Sequence, residues 1–196
     1  MARTAEVVRN TKETQIRVLL DVDGAGASKV STGIGFYDHM LDSFIRFSGC
    51  DVTVETKGDL HIDMHHTVED TAIVLGQAFK QALDGFKGIR RFGHAYVPMD
   101  ETMTRCAIDL CNRPYLIHNV AYKTPKVGDM DTELFKEFHH AFAMNSGACM
   151  HLETLYGVNS HHIAESGFKS LGLALRHAME LDPKTGGHAP STKGVL

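Results

Sequence analysis

The 196-residue chain has no tryptophan, four cysteines and five prolines. Cys50, Cys106, Cys111 and Cys149 show no C-x-x-C spacing. That argues against a zinc-thiolate knuckle and fits reduced, mostly buried thiols in a cytoplasmic protein. No apolar run approaches the roughly 20 residues that cross a bilayer, and "MARTAEVVRNTKETQ" lacks the apolar core of a secretion signal. No membrane partner is therefore expected. A basic surplus is missing too: 20 Lys and Arg stand against 24 Asp and Glu, so a nucleic-acid partner is not expected either. The apolar (43%) and charged (22%) shares are those of an ordinary globular protein, long enough for one domain or two small fused halves. Histidine is plentiful, with thirteen copies.

The chain is written twice. A shift of 96 residues lays "HHTVEDTAIVLGQAFKQAL" (65–83) on "HHIAESGFKSLGLALRHAM" (161–179), with seven of nineteen positions identical. Composition alone gives about one match. Val68, Ala72, Leu75, Phe79 and Leu83 form a helical stripe, and Ala164, Phe168, Leu171, Leu175 and Met179 repeat it. Upstream, "YDHMLDSFIRFSG" and "DTELFKEFHHAFAMNSG" each read as a helix stopped by glycine, at Gly49 and Gly147. Ile16, Val18, Leu20 and Val22 alternate as a strand, as do Cys106, Ile108 and Leu110. Val52 and Val54, then Leu60 and Ile62, read as two strands around "KGD", with a less regular counterpart in "ACMHLETLYGVNS". The expected architecture is α+β, with internally duplicated ββαββα halves at 1–93 and 94–182 and a polar tail at 183–196.

On a helix, His65 and His66 lie four and three residues before Glu69, and His161 and His162 repeat that spacing before Glu165. Each pair can share a face, while adjacent histidines point about 100° apart, toward two ions or toward one ion and a substrate. Imidazole with carboxylate suits zinc, manganese, iron or cobalt, and the lack of thiolate leans toward the harder end. A single H-H-x-x-E is equally a polar helix start, with glutamate favoured by the macrodipole. Both copies keep the histidines, however, while neighbouring polar positions diverge (Asp70 to Ser166, Gln77 to Leu173). His39 and Glu137 hold comparable places ahead of the two doublets, as ligands or as partly buried polar groups. His139 and His140 stay open, and His61, His94, His118, His151, His177 and His188 read as surface or packing residues.

"APSTKG" (189–194) combines hydroxyls, a lysine and a glycine able to wrap a phosphate; a plain polar tail is the other reading. Arg91, Arg113 and Lys169 are further anion-binding candidates. Metals with a phosphate clamp point to a small phosphorylated substrate. A di-metal phosphoester hydrolase and a metal-storage oligomer are compatible with the same clusters.

The chain resembles the imidazoleglycerol-phosphate dehydratase family from end to end, through "RNTKETQI", "TGIGFYDHML", "GDLHIDMHHTVEDTAIVLGQA", "RFGHAYVPMDET", "NRPY", "DTELFKEF", "NSHHIAESGFKSLGLALR" and "PSTKG". The resemblance implies a lyase of histidine biosynthesis that dehydrates imidazole glycerol phosphate to imidazole acetol phosphate, through an imidazolate and a diazafulvene-like intermediate. It implies helices packed between two sheets, a twenty-four-subunit shell, and two manganese ions per active site at subunit contacts. By position, His39, His65, His66, Glu69, His161, His162 and Glu165 match metal ligands, and Glu137 stands where many members have histidine. Glu13, His39, His65, Arg91, Arg113, His161, Lys169, Ser191 and Lys193 match substrate-contacting positions. Glu13 and Glu165 are the expected proton-transferring carboxylates. "FHHAF" departs from the pattern, which has an aromatic followed by a longer polar residue.

Overall fold

The computed structural model describes residues 2–193, so Gly194 of the tail motif lies outside the described residues. In the first half, β1 (Thr4–Asn10), β2 (Thr14–Asp21), β3 (Ser28–Ser31), α1 (Gly35–Ser48), β4 (Asp51–Gly58) and α2 (His65–Ala82) follow one another. Their strands form one sheet in the order β1-β2-β4-β3, in which β3 runs parallel to β4. Parallel neighbours need a crossover, and α1 supplies it. The second half has β5 (Phe92–Met99), β6 (Thr102–Leu110), β7 (Tyr115–Asn119), a short hairpin of β8 (Lys126–Val127) and β9 (Met130–Asp131), α3 (Glu133–Ser146), β10 (Ala148–Tyr156) and α4 (Ser160–Met179). Its sheet order, β5-β6-β10-β7 with β7 parallel to β10, repeats the first.

The alternating residues face inward: Ile16, Val18 and Leu20 on β2 and Cys106, Ile108 and Leu110 on β6 are all buried, as are both helical stripes. α2 lies on β1 and β2, and α4 lies on β5 and β6. Across the seam α1 packs on α4 and α3 on α2, giving the order sheet, helices, helices, sheet. Fully buried phenylalanines fill the centre. Phe44 meets Phe79 and Phe142 edge-on at 5.9 and 5.7 Å, and Phe138 meets Phe168 at 4.6 Å.

Two glycines show how closely the halves match. A Cβ on Gly76 of α2 would lie 2.8 Å from the Phe142 carbonyl oxygen of α3. A Cβ on Gly172 of α4 would lie 2.6 Å from the Phe44 carbonyl oxygen of α1. Gly76 and Gly172 are 96 residues apart, and Phe44 and Phe142 are 98 apart. Only a residue without a side chain lets the backbones approach this far, and the duplicated contact relates the halves by a pseudo-twofold axis.

The order within each half differs from expectation. It is βββαβα rather than ββαββα, because β3 precedes α1 and one strand separates the helices. β3 reads "SKVS", too short and polar for alternation to show. Leu60 and Ile62 form no strand; they are 39% and 63% exposed in the turn before α2. The expected seam between residues 93 and 94 falls inside β5, so we propose placing it in the linker ahead of Phe92.

Candidate metal and active site

The histidine doublets open α2 and α4, and each helix start is pinned by a preceding side chain. Asp63 Oδ1 accepts from the His65 backbone N–H at 2.7 Å. The Asn159 side chain accepts from the His161 and His162 N–H groups at 2.9 and 3.4 Å. Adjacent rings then diverge as helical geometry requires. His65 and His66 lie 6.2 Å apart at 86°, and His161 and His162 lie 6.0 Å apart at 82°.

His161 turns toward α1. Its Nε2 lies 3.0 Å from Glu165 Oε2, and His39 Nε2 lies 3.1 Å from the same oxygen. Lys169 Nζ holds the other oxygen, Oε1, at 2.7 Å and leans over the Phe47 ring at 5.5 Å. Burial pushes the Glu165 carboxyl upward, but the bonds from Lys169 and His39 outweigh it and hold the group below its ordinary value. His39, His161 and Glu165 are the one set of three potential ligands among the described residues whose donor atoms lie within 4.8 Å of one another. One comes from the first half and two from the second, so the seam itself builds the centre.

The first-half doublet is looser. His65 Nε2 lies 3.7 Å from Glu69 Oε2, and the Glu69 side chain is 40% exposed against 8% for Glu165. Glu137, half-buried on α3, does not join His65 and Glu69 in a comparably tight group. Position 73, which corresponds to Lys169, is isoleucine. His139 is fully buried against Phe138 and Phe168, and His140 is exposed; neither belongs to the tight group of donors.

The outer histidine of each doublet meets a carboxylate that helical spacing does not reveal. His66 Nδ1 lies 3.0 Å from Asp59 Oδ2, and His162 Nδ1 lies 2.7 Å from Glu101 Oε2. Glu101 Oε1 also accepts from the Val158 and Asn159 N–H groups at 3.2 and 2.9 Å. The His162 bond, chiefly, brings the Glu101 carboxyl down to about 2. Asp59 likewise holds His66 above its ordinary value. One signal was available: "ET" at 101–102 echoes "ET" at 13–14, with both threonines buried. That shift is 88 residues rather than 96, so a fixed offset hides it. Glu13 itself is exposed, with Oε1 4.0 Å from His66 Nε2.

The phosphate candidates lie elsewhere. Arg91 forks onto Asp109 (2.6 and 3.0 Å), donates to the Pro190 carbonyl oxygen at 2.7 Å, and thereby ties down the tail carrying Ser191 and Lys193. That carboxylate raises the Arg91 guanidinium above its ordinary value. Arg113 is exposed in the turn after β6. β6 starts beside Glu101 and ends at Leu110, which donates its N–H to the Arg91 carbonyl oxygen. Arg91 and Arg113 therefore sit about 25 Å from His162 along the strand. Only Lys169 among the anion candidates joins the histidine centre within one chain.

Fold and site together define a duplicated α+β protein with histidine–carboxylate sites at paired helix starts. The family model described as imidazoleglycerol-phosphate dehydratase matches residues 32–175. The chain is 80% identical over 196 residues to the imidazoleglycerol-phosphate dehydratase of Phenylobacterium zucineum, covering 100% of both chains. It is 57% identical to that of Magnetococcus marinus, covering 100% of this chain and 99% of the relative. The crystal structure of imidazoleglycerol-phosphate dehydratase from Staphylococcus aureus superposes with a TM-score of 0.83 at 35% identity, covering 91% of this chain and 99% of that one. The Pyrococcus furiosus structure gives 0.84 at 35% identity, covering 97% and 100%. The chain belongs to the imidazoleglycerol-phosphate dehydratase family.

Proposed function

We propose that the chain dehydrates imidazole glycerol phosphate to imidazole acetol phosphate in histidine biosynthesis, using two manganese ions per active site. The observation that carries this reading is the convergence of His39, His161 and Glu165 within 4.8 Å, in a chain matched by the family model. Two imidazoles and a carboxylate, without thiolate, fit a borderline-to-hard divalent ion. Lys169 occupies Oε1 of Glu165, which leaves Oε2 as the oxygen available to that ion. His65 and Glu69, with Glu137 although it stands apart from them within one chain, are assigned to a second, more acidic centre, and His66 and His162 carry their Nε2 atoms on the remaining faces of the doublets.

Bound divalent ions supply charge that favours loss of a ring proton from the substrate imidazole. The chain's own groups do the rest. Glu13, exposed in the β1–β2 turn beside His66, takes the proton from the glycerol carbon next to the departing hydroxyl. Glu165 is the second carboxylate assigned a part in proton transfer. Arg91, Arg113, Ser191 and Lys193 form the phosphate clamp, with Lys169 adding positive charge at the histidine centre. Because the clamp and the histidines occupy opposite ends of one chain, a complete site needs a second copy, consistent with a shell of twenty-four subunits. No helix among the described residues is long and apolar enough to cross a membrane, and a cytoplasmic location suits this biosynthetic step.

The test is to incubate metal-free protein with imidazole glycerol phosphate, with and without Mn²⁺, and follow both the ketone and free phosphate. Ketone that depends on Mn²⁺, with phosphate retained, is expected. Phosphate release without ketone would instead favour a hydrolase.

A further inference from the structure

The outer histidines, His66 and His162, are held in the same way by carboxylates that the duplication does not relate. Asp59 lies just after β4, whose counterpart is β10. The segment after β10 reads "GVNS" and offers no carboxylate. Glu101 lies in the β5–β6 turn, and its counterpart in the β1–β2 turn is Glu13, each followed by a buried threonine. These two equivalent glutamates face opposite nitrogens of equivalent histidines. Glu101 is 2.7 Å from Nδ1 of His162, whereas Glu13 is 4.0 Å from Nε2 of His66, beyond hydrogen-bond reach. In the first half Asp59 already occupies Nδ1 of the histidine, at 3.0 Å.

We propose that Asp59 and Glu101 are positioning residues that fix the tautomer of His66 and His162, and that Asp59, by taking this task, leaves Glu13 free for proton transfer. A neutral imidazole carries one N–H and one lone pair, and a carboxylate can only accept. The hydrogen therefore sits on Nδ1, at the close carboxylate, and the lone pair on Nε2. There Glu13 (4.0 Å from His66) and the exposed Asp100 (3.8 Å from His162) both stand beyond hydrogen-bond reach. A carboxylate behind a metal-binding imidazole also fixes the ring and strengthens its far nitrogen as a donor. Glu101 is anchored by two backbone N–H groups and the Thr102 hydroxyl, so His162 is held against the start of its own helix. Among the described residues Glu13 has no such anchoring of its carboxylate; its backbone N–H is tied to Thr11 Oγ1 at 3.1 Å. One ancestral turn glutamate has thus become a brace in the second half and a reactive group in the first.

This inference rests on the manganese dehydratase reading, and its test separates the two. The full chain and its Asp59→Ala, Glu101→Ala and Glu13→Gln variants are titrated with Mn²⁺ alone, and free ion is followed by electron paramagnetic resonance. Asp59→Ala and Glu101→Ala should each weaken one class of site by about 10- to 100-fold. Asp59→Asn and Glu101→Gln keep an acceptor for Nδ1–H and should recover much of that loss. Glu13→Gln should leave Mn²⁺ affinity within about twofold while turnover falls by about a hundredfold. Histidine ¹⁵N–¹H correlation spectra of the metal-free wild type should show the Nδ1–H form at His66 and His162, a readout that requires no variant to fold. The inference is overturned if either ring is the Nε2–H form, or if the alanine variants bind both ions as the wild type does. A wild type that binds no Mn²⁺ defeats the manganese reading instead, and the spectra then still decide the tautomers.

Discussion

His139 contradicts the usual rule that buried polar atoms find partners. It is fully buried on α3, and neither ring nitrogen makes a well-formed hydrogen bond among the described residues, the Phe135 backbone offering only a weak contact. His118 of β7 faces it with rings 5.3 Å apart, and its Nε2 is also unpartnered. By strand register and helix position, the corresponding residues of the first half are Val30 and Leu41. Two apolar positions of the first half are matched in the second by a pair of imidazoles. Burial drives His139 well below its ordinary value, with His118 adding to the effect; burial and then Lys136 bring His118 down to about 4. The sign for stability follows. Below about pH 6.5 the unfolded chain takes up protons that the native chain refuses, so stability falls with pH until His118 titrates near 4. Replacing His139 with Leu should raise stability at pH 7.5 by about 1–3 kcal/mol and reduce the loss between pH 6.5 and 4. Urea unfolding at pH 7.5 and 5 checks this; an unchanged midpoint at 7.5 and an unchanged pH slope would contradict it.

At the scale of elements, interior glycines of α4 are predicted to respond with opposite signs. A Cβ on Gly172 would press on the backbone of α1, at the Phe44 carbonyl oxygen (2.6 Å) and the Ser48 nitrogen (3.0 Å), which only a shift of the whole helix could relieve. A Cβ on Gly167 would meet only Leu152 Cδ2, at 3.8 Å, an ordinary contact. Gly172→Ala should therefore cost about 1–3 kcal/mol through forced separation of α1 and α4. Gly167→Ala should gain up to about 1 kcal/mol from helix propensity. Thermal unfolding of the two variants decides it, and shifts of the same sign would refute the backbone-contact reading. The Leu-Gly pair repeated at 75–76 and 171–172 was visible in the sequence because it sits inside an ungapped repeat. The four helices were legible for the same reason, each having a sustained apolar stripe. β3 was not, since a four-residue edge strand with one inward-facing residue, Val30, leaves no period to read. Leu60 and Ile62 misled because an apolar residue in a tight turn mimics alternation over so short a span.

At the scale of the molecule, legibility followed sequence locality. His65, His66, Glu69 and their duplicates lie within five residues of one another, so helical spacing alone grouped them. The resemblance named His39 as a ligand, but its place in the sequence set it ahead of His65; only the seam between halves groups it with His161 and Glu165. Asp59 and Glu101 escaped because loops of different length carry them. The Arg91–Asp109 fork joins the residue just before β5 to β6, a register that composition cannot supply. That fork puts Arg91 and the tail residue Pro190 at the sheet end opposite the histidines, while Lys169 stays beside them. If the proposed site is complete only across two copies, inactive chains damaged at opposite ends must rescue each other. Arg113→Ala damages the clamp and His162→Asn damages the histidine side, and each homogeneous protein should lose about a hundredfold in turnover. Co-expressed with separate tags and purified through both, mixed assemblies place an intact clamp beside an intact histidine set at about one quarter of random two-chain contacts. They should recover about a quarter of wild-type turnover per site. Mixed assemblies no more active than their parents would show that each chain carries out the reaction alone, and the phosphate would then have to be held near Lys169 without Arg113.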